Sequence, residues 1–270
     1  MRMTGVSDPL YVRARAALLD AVEALAAQLD AVVLVGAQAI YLHAGDADLA
    51  VAEYTTDADF TVSPTELADA PLLGDLLEAA GFTARQQPGG WLSRDGIYVD
   101  IMVPETLAGA GTRGARLGPH GKRAARRAKG LEGALVDRDR KTIAALDPSD
   151  GREVSMWVAG RGALFVAKVH KIAERVDHND RVRDKDALDV LRLLRSVETD
   201  DLARRLRSLL GDELAASVTT EAIERIPQLF SNDRSDGVMM AVRAAGTGED
   251  PATIAGSLVA LASDLRSSLD

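Results

Sequence analysis

Three aspartates lie in segments whose other residues are typical of β-strands. Asp57 and Asp59 belong to the run 55–62, and Asp100 belongs to the run 96–103, both rich in β-branched and apolar residues. Side chains two positions apart on a strand project from the same face, so we expect Asp57 and Asp59 to point together. An acid in an apolar strand is costly unless it is paired or binds a metal. The three carboxylates therefore predict a site for Mg²⁺ or Mn²⁺ that binds nucleotide phosphates.

A second interpretation of these aspartates stays open at the level of sequence. Asp57 could cap a turn, and Asp100 could face solvent on an edge strand. The order of the elements favours the metal site, because the two acidic strands follow a strand, a glycine turn and a helix.

A further set of charged residues lies on two predicted helices. Lys168, Lys171 and Arg175 are spaced i, i+3 and i+7, so they share one helix face among strongly apolar neighbours. Cations that emerge from a buried helix suit phosphate groups. Asp186 and Asp189 follow one turn apart on the next helix. They allow a different interpretation, a network of ion pairs between the helices, which could also position Lys168.

The segment 111–130 is strongly basic, although the whole chain has a net charge of −9. It contains no acid and seven cations, which are Arg113, Arg116, Lys122, Arg123, Arg126, Arg127 and Lys129. A local basic segment on an acidic protein can bind a polyanion such as RNA. A solvated, partly disordered loop is the alternative.

Turn signals and periodicity predict the elements that position these residues. A first helix is expected over 10–29, an apolar strand over 31–35, and a second helix after Gly36, whose first amides could bind phosphate. Pro64 opens a third predicted helix that runs to about Ala80. The other predicted strands are 82–86, 91–94, 135–146 and 153–158. This order indicates an α+β fold with a mixed sheet.

Every element expected after residue 159 is a helix. The predicted helices are 163–175, 184–195, 200–210, 212–226, 235–245 and 251–269. We therefore expect two domains, a sheet-bearing domain over 1–150 and a helical domain over 151–270.

Composition excludes several classes of function. The chain has no cysteine, which excludes disulfides, thiolate zinc sites and cysteine nucleophiles and favours a cytoplasmic protein. No apolar stretch approaches the ~20 residues of a membrane span, and the first residues lack a signal-peptide core. The four histidines have no metal-ligand spacing, and there is no G-x-S-x-G or H-E-x-x-H motif. A serine hydrolase, a zinc peptidase and a membrane protein are not expected.

The motifs resemble a known superfamily. A glycine turn at Gly36-Ala37, the D-x-D strand at Asp57 and Asp59, and the third acidic strand at Asp100 are similar to the nucleotidyltransferase superfamily with the polymerase-β-like fold. The later motifs, Lys168-x-x-Lys171-x-x-x-Arg175 and Lys185-Asp186-x-x-Asp189, are similar to the C-terminal motif of AbiEii/MenT-type toxins. Those proteins belong to bacterial toxin–antitoxin or phage-defence systems. The resemblance covers about residues 30 to 195.

The resemblance implies a reaction and a role for each matching residue. The reaction is Mg²⁺-dependent transfer of a nucleoside monophosphate from an NTP to an acceptor hydroxyl, such as the 3′ end of tRNA, and an antitoxin protein is an expected partner. The implied active site lies in a cleft between the two domains. The implied metal ligands are Asp57, Asp59 and Asp100. The implied nucleotide-binding residues are Gly36, Ala37, Thr56, Lys168, Lys171, Arg175 and Asp186. Lys168 and Asp189 are also implied in catalysis, with Asp186 as the alternative to Asp189.

One residue departs from the superfamily pattern. Ala37 stands where glycine or serine is usual, so a hydroxyl contact to phosphate is missing. Two alternative functions stay open at the level of sequence. One is a nucleotidyltransferase that modifies a small molecule such as an antibiotic. The other is a catalytically idle protein that binds nucleotide or a partner.

Overall fold

The computed structural model describes residues 8–45, 55–177 and 184–270, so His178 lies outside the described residues. The chain forms two compact units, counting only the described residues of each range. The first is drawn from Met1–Gln38, Ala52–Ala128 and Asp139–Val158, and the second from Ala39–Val51, Lys129–Arg138 and Ala159–Asp270. The mixed sheet and the C-terminal helices agree with the predicted α+β class, while the nucleotidyltransferase fold itself stays a prediction.

An eight-stranded mixed sheet dominates the first unit. The strands are β1 (Val32–Val35), β2 (Asp57–Val62), β3 (Thr83–Ala84), β4 (Gly90–Leu92), β5 (Tyr98–Pro104), β6 (Arg126–Ala128), β7 (Arg138–Ala144) and β8 (Glu153–Ala159). They are ordered β3-β4-β5-β2-β1-β8-β7 in the sheet, and β6 also pairs with β5. The pairs β1–β8, β2–β5 and β5–β6 are parallel, and β1–β2, β3–β4 and β4–β5 are antiparallel.

Three helices accompany these strands in the chain order, α1 (Pro9–Ala24), α2 (Gly36–Ala44) and α3 (Leu73–Ala79). The Asp8 carboxylate caps α1 by accepting from the Leu10 amide at 2.8 Å, and Pro9 opens the first turn. The helix ends earlier than expected, because residues 26–31 form a 3₁₀ turn that leads into β1.

The predicted helix from Pro64 to Ala80 is wrong in its first half. The observed helix α3 begins only at Leu73. The Gln28 side chain binds the backbone of the preceding segment, donating to the Ala68 and Pro71 carbonyls at 3.0 and 2.8 Å. A residue before proline also disfavours helical backbone angles, which applies to the residue preceding Pro71. Tertiary hydrogen bonds and proline therefore outweigh the helix signal.

Two later elements begin three or four residues after the predicted start. The strand expected from residue 135 begins at Arg138, because residues 132–135 form a 3₁₀ turn. The helix expected from Asp212 begins at Ala216, because the Asp212 carboxylate accepts from the Leu214 and Ala215 amides and forms a turn before the helix.

Helices make up most of the second unit. They are α4 (Arg161–Asp177), α5 (Lys185–Arg195), α6 (Thr199–Leu210), α7 (Ala216–Phe230), α8 (Asp236–Ala245) and α9 (Pro251–Leu269). Helix α5 packs on α4, α8 and α9, while α9 also packs on α6 and α7. Phe165 and Phe230 are among the largest fully buried side chains. Within the described residues, every helix is too short or too polar to cross a membrane.

Candidate active site

The register of the sheet brings the three aspartates to one face. Asp59 of β2 lies directly opposite Asp100 of β5, and Asp57 lies opposite Tyr98. Residues paired in register on neighbouring strands project to the same side, as do residues two apart on one strand. All three aspartates are partly exposed. The edge-strand interpretation of Asp100 is wrong, because β5 lies between β2 on one side and β4 and β6 on the other.

Gly36 lies against this face at the point where β1 ends and α2 begins. Its φ of +72° is in the left-handed region that favours glycine, and an added Cβ would lie 2.2 Å from Oδ2 of Asp59. The Asp59 carboxylate therefore approaches the backbone at the start of a helix, where amides can bind anions. Ala37 follows in the same turn and is only 3% exposed.

A buried polar network supports the Asp57 segment. Gln38 is 1% exposed, and its Nε2 donates to the carbonyls of Asp57 at 3.0 Å and of Ala14 at 3.1 Å. Its Oε1 accepts from Nε of Arg15 at 2.9 Å. The hydroxyl of Thr55 donates to Oδ1 of Asp57 at 2.5 Å. These contacts fix the positions of both the backbone and the carboxylate of Asp57.

Sequence reasoning missed Gln38 and Arg15 as parts of the site. Both are polar residues among apolar neighbours on a predicted helix, and a polar side chain stays buried only where it finds hydrogen-bond partners. This pattern indicates a buried polar network but does not show which part of the fold contains it. Thr56, predicted to contact nucleotide, is partly exposed beside Asp57.

Asp100 is held by an arginine of the basic segment. Nη2 of Arg126 lies 3.1 Å from Oδ2 of Asp100, and the two side chains are 34% and 28% exposed. Arg126 belongs to β6, which pairs with β5 through Met102. The sequence assigns Arg126 to polyanion binding, whereas in the structure its partner is the third aspartate of the predicted metal site.

The residues fit Mg²⁺ or Mn²⁺ in their chemistry. Carboxylate oxygens are the ligands that these hard cations prefer, and the register gives Asp57, Asp59 and Asp100 a common face. Across the ranges 8–45, 55–177 and 184–270, however, no three acidic or histidine side chains are already arranged as a metal site. Asp100 contacts Arg126 through Oδ2, so a cation bound by all three aspartates would share this carboxylate with the guanidinium or displace it.

The basic segment divides into exposed and paired cations. Arg113, Arg116, Lys122 and Arg123 are exposed, and Arg123 donates to the carbonyls of residues 85 and 86. Arg127 pairs with Glu105 at 3.3 Å. In the second unit, Lys129 pairs with Glu221. The segment includes the short strand β6, which the sequence does not predict, and most of its other residues form turns and loops.

The second unit contains a buried ion-pair network built on α4 and α5. Nζ of Lys168 lies 2.6 Å from Oδ1 of Asp186 and 2.7 Å from Oδ2 of Asp189. Arg175 pairs with the other oxygen of Asp186, and Arg192 lies 3.4 Å from Asp189. All five residues are at most 8% exposed. The network between helices, left open by the sequence, is therefore present.

Within this network, ion pairing outweighs the effect of burial on the pKa values of Lys168 and Asp186. Burial alone disfavours the charged forms, yet the neighbouring Asp186 and Asp189 raise the pKa of Lys168 above its ordinary value. Burial likewise opposes ionisation of Asp186, but Lys168, Lys171 and Arg175 lower the pKa of this carboxyl below its ordinary value. Both groups are charged at neutral pH. Lys171 itself is only partly buried.

The structure thus brings together Asp57, Asp59, Asp100 and Gly36 in the first unit, and Lys168, Arg175, Asp186 and Asp189 in the second. Comparison of the chain with known protein families, curated proteins and solved structures finds no significant match.

Proposed function

We propose that this protein is a Mg²⁺-dependent nucleotidyltransferase of the polymerase-β-like superfamily, similar to the AbiEii/MenT type. One observation carries the proposal. Asp57, Asp59 and Asp100 project from one face of two adjacent strands, next to a glycine turn that opens a helix. Two acids on one strand and a third on its neighbour are the ligand set that phosphoryl transfer needs.

In this proposal each residue has a distinct task. Asp57 and Asp59 bind Mg²⁺ (or Mn²⁺), which neutralises triphosphate charge and favours ionisation of the attacking hydroxyl. The amides at Gly36 and Ala37 donate to the triphosphate. Asp100 completes the site and assists removal of the hydroxyl proton. The acceptor oxygen forms a bond to the α-phosphorus, and the bond to the departing pyrophosphate breaks.

The proposed acceptor is RNA, with the 3′ end of tRNA as the candidate that the resemblance suggests. The exposed cations Arg113, Arg116, Lys122 and Arg123 support this choice, because exposed guanidinium and ammonium groups bind phosphates. In a toxin–antitoxin or phage-defence role, the further partner is an antitoxin protein. The assignment of Lys168 and Asp189 to catalysis stays a prediction, since both are occupied by the buried ion-pair network.

Specific observations favour each of the two other functions. Pairing of Arg126, Arg127 and Lys129 with acids reduces the charge left for RNA, which favours a small-molecule acceptor. The Arg126–Asp100 ion pair and the buried Ala37 favour an idle nucleotide-binding protein.

Transfer of label tests the proposal. The protein is incubated with Mg²⁺, each α-³²P-labelled NTP in turn and total tRNA, and compared with Asp57→Asn. The expected result is label on RNA with the wild type only. No label on tRNA, from a folded protein that binds NTP, would exclude tRNA as the acceptor and favour the two other functions.

A further inference from the structure

The backbone of Arg126 is fixed beside the carboxylate face. It pairs with Met102 of β5 in parallel register, and an isolated antiparallel bridge joins it to Gly114 on the other side. A Cβ added at Gly89 would lie 2.4 Å from the backbone nitrogen of Arg126, so the two backbone segments also pack closely there. Met102 follows Asp100 by two positions, which places Arg126 on the same face as Asp100. The side chain can therefore change partners while the backbone stays in place.

The next residue provides an internal comparison. Arg127 belongs to the same short strand, but its guanidinium pairs with Glu105 at 3.3 Å and donates to nearby backbone carbonyls. Two adjacent arginines of β6 thus have separate acidic partners, and only the partner of Arg126 belongs to the proposed metal site.

We propose that Arg126 is a positioning residue that occupies Asp100 until a divalent cation and a triphosphate bind together. The inference rests on the proposed function and deepens it. A guanidinium and a divalent cation compete for Asp100, since both bind its carboxylate oxygens. Once released, the guanidinium remains on the same face and can pair with a phosphate, a partner that suits its planar set of donors.

The exposure of the ion pair makes such an exchange feasible. Both side chains are about one-third exposed, and ion pairs that water can reach are weak and easily displaced. The consequence is coupling: a cation that binds alone is repelled by the Arg126 guanidinium or must displace it, whereas a triphosphate offers Arg126 a new partner. By thermodynamic reciprocity, cation and triphosphate then strengthen each other's binding.

Two binding measurements test this role without relying on activity. Mn²⁺ alone is titrated into the protein and the free ion is followed by electron paramagnetic resonance. Inorganic tripolyphosphate, which carries no nucleobase, is titrated calorimetrically at saturating Mn²⁺. Arg126→Gln is expected to bind Mn²⁺ alone roughly tenfold more tightly than wild type, because a nearby positive charge is lost. The same variant is expected to bind tripolyphosphate roughly tenfold more weakly, because a phosphate partner is lost.

Matched variants separate this role from a general loss of charge. Arg127→Gln removes the same charge one residue away and is expected to match wild type in both titrations. Arg126→Lys keeps the charge, so its Mn²⁺ affinity is expected to stay close to wild type. Its tripolyphosphate affinity is expected to lie between those of wild type and Arg126→Gln, because lysine lacks the planar donors. Thermal unfolding in EDTA establishes that each variant is folded, and Arg126→Thr, which suits a strand, replaces the glutamine variant if that one is not.

The outcomes distinguish the role of Arg126 from the proposed function. Equal Mn²⁺ affinity in wild type and Arg126→Gln, together with loss of Mn²⁺ binding in Asp59→Asn, overturns the role of Arg126 alone. Unchanged Mn²⁺ binding in Asp59→Asn overturns the carboxylate site itself and the proposed function with it.

Discussion

At the scale of single residues, Gly36 has the strictest local requirement in the proposed site. Its left-handed backbone disfavours any side chain, and the neighbouring Asp59 carboxylate occupies the space that a Cβ would need. Both constraints act on the same carboxylate that is proposed to bind metal. The position of the Asp59 carboxylate on β2 therefore depends on the backbone conformation of Gly36 at the start of α2.

Substitution of Gly36 by alanine tests this link. Gly36→Ala should lower the free energy of unfolding by about 1–2 kcal/mol from backbone strain, and displacement of Asp59 should also weaken Mn²⁺ binding. Gly96→Ala is the matched control, because Gly96 also has a positive φ but open space around its Cβ position. Urea unfolding and Mn²⁺ titration measure the two effects. Equal Mn²⁺ affinity in the two variants would show that Asp59 does not depend on the close approach.

Gln38 supports the site through the backbone rather than the substrate. Gln38→Leu keeps a similar volume but leaves the carbonyls of Asp57 and Ala14 and the guanidinium of Arg15 without this partner. Loss of a buried hydrogen-bond network of this kind should cost about 1–3 kcal/mol of unfolding free energy. Chemical denaturation measures the loss, and a variant as stable as wild type would refute the importance of the network.

At the scale of elements, α4 and α5 are joined by charge as well as by apolar packing. Lys168 neutralises two buried aspartates, and Arg175 and Arg192 complete their pairing. A buried charge that loses its partner is strongly destabilising, whereas an exposed pair contributes little. The network is therefore expected to control the stability of the helical unit.

Lys168→Met should accordingly lower the free energy of unfolding by roughly 3–5 kcal/mol. Arg204→Met, which removes a cation from the exposed pair with Asp201, should change it little. Urea unfolding of both variants at neutral pH makes the comparison. Similar losses in the two would mean that burial does not strengthen the dependence on Lys168.

The pH dependence of stability follows from the same network. The lowered pKa of Asp186 stabilises the folded state above about pH 4, and this contribution is lost as the pH falls towards the folded-state pKa. The raised pKa of Lys168 stabilises it below about pH 10.4, with loss as the pH rises towards its folded-state pKa. Urea unfolding from pH 3 to 11 should show both declines, and the acid decline should be shallower in Asp186→Asn. An equal acid slope in that variant would contradict the assignment.

Local sequence signals account for much of the element pattern, while long-range pairing accounts for the differences. The start of α9 (Pro251–Leu269) was predictable because a capping acid and proline open the helix. The late start of α3 was not, because Gln28 binds that segment from about forty residues away. The ion pair between Arg126 and Asp100 was not predicted for the same reason. Composition identifies a basic segment, but it does not show which residues its cations pair with.

At the scale of the whole molecule, charge is distributed unevenly. The net charge is −9, yet Arg113 and Arg116 remain exposed in the basic segment. If RNA binds there, its affinity must depend on salt through the phosphates that these cations neutralise.

A charge-reversal pair tests that dependence. Arg113→Glu/Arg116→Glu should weaken tRNA binding and lower the slope of log affinity against log salt by about 0.7–0.9 for each phosphate that is no longer neutralised. Arg204→Glu/Arg234→Glu makes the same change in net charge at exposed positions of the helical unit and should have a smaller effect. Fluorescence anisotropy at several salt concentrations measures both. Equal effects would indicate non-specific attraction and favour a small-molecule acceptor.

The decisive measurement is the rate of Mg²⁺-dependent label transfer from α-³²P-labelled NTP. It is compared among wild type, Asp59→Asn and Asp75→Asn, which makes the same change at an exposed position of α3. We expect transfer by wild type and Asp75→Asn, and a loss of at least about a hundredfold in Asp59→Asn, in line with removal of a group that stabilises the transition state. Transfer at the wild-type rate by folded Asp59→Asn would contradict a reaction centred on the three aspartates.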